Sequence, residues 1–169
     1  ILARRQVSEM GEFFKEGAPE IFAKSSIAHI ASHIGIRESR KLVGVHVLTS
    51  EELRSCVDFP DTIALGNYDI DIHNPTGAGT YIYSFSGGQY YKIPYRSLLP
   101  KEYDNMLVAG RCLSADHEAH SAVRILPICA CMGEAAGVAI SLCKKNGTTT
   151  HTLDTDLLRA TLKEKGADV

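Results

Sequence analysis

Hydrophobic positions keep a helical period at both ends of the chain and a period near two between them. Over residues 1 to about 24, Leu2, Val7, Met10, Phe13 and Phe14 recur roughly every 3.6 residues, which predicts a helix. Gly17-Ala18-Pro19 interrupts it before a short helical turn at Glu20 to Lys24. Alternation then takes over: Ile27, His29 and Ala31 against Ala28, Ile30 and Ser32, and Leu42 and Gly44 against Val43, Val45 and Val47. This predicts two strands, the second running from Lys41 to Leu48, with the charged connector Gly35 to Arg40 between them.

Thr49-Ser50-Glu51-Glu52-Leu53 is a helix start, a hydroxyl cap followed by acids, and Asp58-Phe59-Pro60-Asp61 keeps that helix short. Asp69 to His73, Thr80 to Phe85 and Tyr90 to Pro94 read as strands joined by turns at Asn74 to Gly79 and Ser86-Gly87-Gly88, an antiparallel meander. Asn105 to Gly110 is a continuous apolar run, as expected of a strand buried on both faces. Pro127 to Asn146 predicts a helix of about 30 Å, with proline in its first turn, Lys144 and Lys145 in its last, and Gly147 as its stop. A final helix is expected over Asp154 to Lys165, with Leu157, Leu158 and Leu162 on one side.

Composition narrows the partners. The chain has 169 residues, 18 basic against 20 acidic, and a formal net charge of -2. That balance makes no electrostatic case for nucleic acid or an anionic membrane. Ile125 to Cys143 carries a single charge, but Glu134 at its centre and Pro127 at its start favour a buried helix in a soluble core over a membrane span. The five cysteines are odd in number and contain no C-x-x-C pair, so they read as reduced core residues, which favours a cytoplasmic compartment. The chain opens on Ile1 rather than methionine, so a fragment or processed product is expected, and a targeting segment lost with the start leaves localisation otherwise open.

An apolar strand, a glycine at its end, a loop and then a long helix rich in small residues is a ligand-binding arrangement in open α/β sheets. The free amides at that helix start suit an electron-rich ring or a phosphate. A helix packed tightly on a sheet would use the same small residues, Gly133, Ala135, Ala136, Gly137 and Ala139.

The residues themselves go further. Asp104 to Arg111, then Ser114-Ala115, His117, Val123-Arg124, Pro127, Cys129 and Gly133 to Gly137, strongly resemble the carboxyl-terminal part of the FAD-dependent oxidoreductase family. Arg37-Glu38-Ser39-Arg40, Val43-Gly44, Leu48-Thr49, Ile70 to His73 and Ile93 to Leu98 extend the resemblance in the expected order, so that it covers roughly residues 26 to 143. It implies a flavoenzyme transferring hydride between a small organic substrate and FAD, with the flavin domain split by a β-rich substrate domain. On that pattern the fold is α+β: a helical lead-in over 1–25, a mainly antiparallel substrate region over 26–103, the returning flavin-domain strand, loop and helix over 104–147, and a C-terminal helix over 148–169.

The resemblance assigns cofactor contacts to Gly110, Arg111, Ser114, Arg124, Pro127, Gly133, Ala135, Ala136 and Gly137. The dinucleotide fingerprint G-x-G-x-x-G is not met: Gly77 and Gly79 are followed by Ile82 where the third glycine belongs. The expectation is therefore that this chain lacks the amino-terminal half that holds the ADP portion of FAD. It would then bind FAD weakly or not at all alone, be inactive by itself, and expose an apolar face that drives homo-oligomerisation. A module that retains the fold for ligand binding or interaction without catalysis is the alternative.

Six residues are candidates for the reacting site. Arg37, Arg40 and Arg96 are candidate anchors for a carboxylate or hydroxyl-rich substrate, although an arginine beside a glutamate also makes structural ion pairs. Arg124 precedes the flavin-facing helix among apolar neighbours and suits reduced flavin or an anionic substrate. His73, on one strand face with Asp71, and His117 in the family-like loop are both candidate proton acceptors, and His73 could instead hold the turn at Asn74. His117-Glu118-Ala119-His120 lacks the spacing of the usual zinc motifs, so no metal is assigned. Asp116 to Ala122 is more polar than the family's Thr-His-x-Ala-x-Gly-Ser type, and Glu134 stands where glutamine is common.

Overall fold

The computed structural model describes residues 2–74 and 77–169; Pro75 and Thr76 of the expected Asn74 to Gly79 turn lie outside the described residues. The chain clusters into two units, residues 1–36 and 37–169. In the first, α1 (Leu2–Gly17) and α2 (Pro19–Phe22) break where Gly17-Ala18-Pro19 predicts, with proline opening α2. Phe14 stacks on Phe22 with centroids 5.2 Å apart, yet neither helix has a buried residue. The strand expected over Ile27 to Ser32 does not form: these residues are exposed and irregular. Alternation makes a strand only where a neighbouring strand takes up its backbone groups.

The second unit holds the core. Thr49 caps α3 (Ser50–Arg54) with a full capping box, its side chain accepting from Glu52 N–H while the Glu52 carboxylate accepts from Thr49 N–H. β1 (Thr62–Gly66) pairs antiparallel with β4 (Tyr91–Pro94), and β2 (Ile70–His73) with β3 (Thr80–Tyr83). The expected meander is thus two separate two-stranded sheets, because β4 passes over β3 to pair with β1. The β1–β4 sheet lies in the core with Ile63, Ala64, Tyr91 and Ile93 buried. α5 (Leu126–Asn146) packs on it so closely that a Cβ on Gly66 would fall 2.6 Å from Ile128 Cδ1.

Two predicted strands become extended segments. Lys41 to Leu48 threads between two others, Val45 N–H donating to Leu99 O (2.9 Å) and Leu48 N–H to Ser114 O (3.0 Å), and forms only isolated bridges at Gly44 and Leu48. Asn105 to Gly110 is neither a strand nor buried on both faces. Val108 N–H donates to Leu98 O and Thr150 N–H to Asp104 O, so single bonds hold this run where a ladder was expected.

α5 ends on Gly147 at φ 65°, the left-handed stop its sequence predicts. It is the one helix among the described residues long and apolar enough to cross a membrane by length and composition, and 33% of that window is buried inside the chain. The helix expected to be buried in the core is buried on one face: Ile128, Met132, Ala135, Ala139 and Cys143 face the core, while Leu126 and Ile140 are exposed. α6 (Thr155–Glu164), capped by Asp154, buries Leu158 and Leu162 but not Leu157. All five cysteines are free, and the core reading holds fully only for Cys143, since Cys112 and Cys131 are exposed and Cys56 and Cys129 half-buried.

Candidate functional site

A cleft of about 320 Å³ opens in the second unit, lined by Arg37, Asp71, Ile72, His73, His117, Ser121 and Arg124. Four candidates from three separate stretches of sequence, Arg37, His73, and His117 with Arg124, therefore meet at one place. Its frame is β2 packed against α4 (His117–Val123). Asp116 caps α4 by accepting from Ala119 N–H, and its other oxygen accepts from Ser50 N–H, which ties the start of α4 to α3.

The backbone of Asp71 is gripped from both sides. Its N–H donates to Ser121 Oγ (3.1 Å) and its carbonyl accepts from Arg124 Nη2 (3.1 Å). One part of the Arg124 guanidinium thus fixes the edge of β2, and its remaining N–H groups are available to a ligand. His73 Nε2 lies 3.4 Å from Asp71 Oδ2, as the shared strand face predicts.

His117 is exposed and is held at Nδ1 by Glu38, 3.0 Å from Oε2. Glu38 also pairs with Lys41 Nζ at 3.1 Å and lies 3.6 Å from His120 Nδ1. Burial alone would raise the Glu38 carboxyl, but its bonds to His117 and Lys41 and the nearby imidazole charges outweigh that and hold it below the usual carboxylate range. His120 is fully buried, with Nε2 2.7 Å from the Arg111 carbonyl. Burial lowers its basicity, against the opposing pull of that carbonyl and of Glu38.

The other candidates are placed elsewhere. Arg40 is exposed and does not line the cleft. Arg96 lies over the Phe59 ring and pairs with Asp61 at 3.4 Å, and Asp61 also accepts from Arg96 N–H, so this arginine pins the start of β1 to the 3-10 turn Tyr95–Leu98. Glu118 pairs with Arg54, and no group of three His, Cys, Asp or Glu suited to a metal occurs among the described residues.

The cofactor candidates divide. Gly110 opens the 3-10 turn Gly110–Cys112 at φ 81°, a conformation that favours glycine, and a Cβ there would meet nothing within 4 Å. The turn packs on α5, where Gly133 and Gly137 are exposed and equally open, Pro127 and Glu134 are exposed, and Ala136 is half-buried. Arg111 is exposed; its charge lowers the Cys129 thiol, although burial prevails and raises it. Ser114 and Ala135 sit inside instead. Ser114 accepts from Gly44 N–H at 3.2 Å, in contact so close that a Cβ on Gly44 would lie 2.5 Å from its own, and Ala135 faces the core.

Glu38 and His120 are the site-forming residues that sequence reasoning missed. Glu38 was visible only as a neighbour of two arginines, and its partner His117 is 79 residues away. His120 was weighed only as a metal ligand, although its place in an unusually polar stretch was a signal.

No curated protein and no solved structure matches the chain. The model of one family, described as FAD dependent oxidoreductase, matches residues 1–162, and the chain belongs to that family.

Proposed function

We propose that the chain supplies the substrate cleft and the flavin-facing turn and helix of an enzyme transferring hydride between a small organic substrate and FAD. A nucleotide-binding portion carrying the absent G-x-G-x-x-G completes it. The observation that carries this reading is the meeting of Arg37, His73, His117 and Arg124 in one cleft, with Glu38 holding His117 and the neighbouring His120 bonded to the turn that begins at Gly110.

The residues fit the flavin end of the cofactor. Gly110, Gly133 and Gly137 leave backbone open to close approach, and Arg111 and the start of α5 offer positive potential. FAD, when bound, supplies the hydride acceptor or donor. Arg37 and Arg124 bind and orient a carboxylate or hydroxyl-rich substrate, Arg124 with the N–H groups it does not give to Asp71. His117 or His73 takes the substrate proton; Glu38 lies closer to His117 than Asp71 does to His73, which favours His117. The open face of α5 is the surface that the completing portion or a second copy covers.

Anaerobic mixing of the flavin-loaded protein with a panel of small hydroxy acids, amino acids and polyols tests this. Bleaching of the flavin by one class is expected, slowed about 10²–10⁴-fold in His117→Ala. A flavin that no member of the panel reduces would favour a non-catalytic module. The 169-residue chain alone is expected to purify colourless, and stoichiometric FAD on it would remove the need for a completing portion. A clean monomer at high concentration in light scattering would argue against self-association through the α5 face.

A further inference from the structure

We infer that Glu38 is a positioning residue that fixes the tautomer of His117, and that His120, bonded to the turn carrying Gly110 and Arg111, presents a bare nitrogen that leaves the Glu38 carboxylate to His117. The inference rests on the proposed role of His117 as proton acceptor, but its geometry stands apart from that role.

The protons follow from the partners. An ionised carboxylate can only accept, so the His117 nitrogen 3.0 Å from Glu38 must be N–H: Nδ1 donates and Nε2 carries the free lone pair. Arg111 offers a carbonyl, which also only accepts, so His120 donates through Nε2 and its neutral ring leaves Nδ1 bare. That bare nitrogen is buried, has no hydrogen-bond partner, and stands 3.6 Å from Glu38 Oε2. Two acceptors facing each other do not bond, so the Glu38 oxygens remain with His117 and Lys41.

Protonation of His120 would change this. A new N–H at Nδ1 would compete for the same Oε2 that holds His117. The groups around the cluster are Lys41 beside Glu38, Arg124 at the end of α4 and Arg111 on the turn, with Arg37 lining the cleft; Asp116 is engaged as the α4 cap and Glu118 with Arg54. The cations oppose a charge on His120, so the arrangement with Nδ1 bare is the one this surrounding favours at neutral pH.

Nitrogen-15 NMR of the imidazoles in the 169-residue chain tests the assignment without any cofactor. Above the pH at which the rings titrate, His117 is expected as the Nδ1–H tautomer and His120 as Nε2–H. Glu38→Gln should keep both, because its carbonyl accepts from His117 and its amide can donate to His120, while Glu38→Ala should release His117 alone. A wild-type His117 found as Nε2–H, or one indifferent to Glu38→Ala, overturns the inference; the wild-type measurement decides even if the alanine variant fails to fold. In the flavin-loaded protein, Glu38→Ala should slow substrate-dependent flavin reduction about 10²-fold with little change in KM, and Glu38→Gln should recover most of that loss. An unreduced wild-type flavin would count against the proposed function while leaving the tautomer result intact.

Discussion

The two small sheets of the second unit are alike in size and opposite in fate. β1 and β4 are mostly buried, with Ile63, Ala64, Tyr91 and Ile93 at 2% exposure or less, whereas β3 is exposed from Thr80 to Ile82 and β2 buries only Ile70. The buried sheet is the platform for α5. The more exposed hairpin carries Asp71 and His73 to the cleft, and side chains of Ser121 and Arg124 bond its backbone at Asp71. Stability and chemistry are thus carried by different strands, as expected where a ligand must reach one sheet and a core must form on the other.

The largest break in that contrast should come from the platform. Ile93→Ala is expected to cost about 2–5 kcal/mol in urea unfolding, because the cavity would open at a fully buried position of the core sheet. A loss below 1 kcal/mol would mean the β1–β4 sheet is not the core's centre. Gly44→Ala comes next, at about 1–3 kcal/mol from overpacking, since its new methyl would collide with Ser114. Ser114 packs through its own Cβ there, so a double variant with Ser114→Gly should recover part of the loss.

Acid should reveal the cluster between cleft and core. His120 is less basic folded than unfolded, so the unfolded chain binds the extra proton: its contribution is fully present above about pH 6.5 and falls as pH drops below that value. Glu38, held below its usual range, adds a further loss at more acid pH, as its carboxylate protonates. The melting temperature should therefore decline from pH 7 to pH 5, and less steeply in His120→Leu; equal slopes would contradict a neutral buried ring. At the small end, Ile82→Ala on β3 should shift stability by no more than about 0.5 kcal/mol, because that side chain is 57% exposed. A larger loss would show that the hairpin is part of the core after all.

Several elements were legible because their cause is local. The break at Gly17-Ala18-Pro19, the Thr49 capping box, the proline start and glycine stop of α5 and the Asp154 cap each depend on residues within one turn. The strands called at Ile27, Lys41 and Asn105 were not, because a strand needs a partner that its own residues do not specify. β1 escaped notice for the related reason that Thr62 to Gly66 alternates weakly and is made a strand by β4.

Of the site, residue types and family motifs made Arg37, His73, His117 and Arg124 candidates one at a time, while Arg96 looked equivalent to them until Asp61 and Phe59 were found beside it. By itself the sequence determined the family, the α+β class and the helices with their caps, since short-range sterics and hydrogen bonding decide those. Only the tertiary structure decided which face of α5 stays open, which strands pair, and that Glu38 reaches across 79 residues to hold His117. Each of these depends on packing between segments distant in the chain, and no local pattern of residues encodes that proximity.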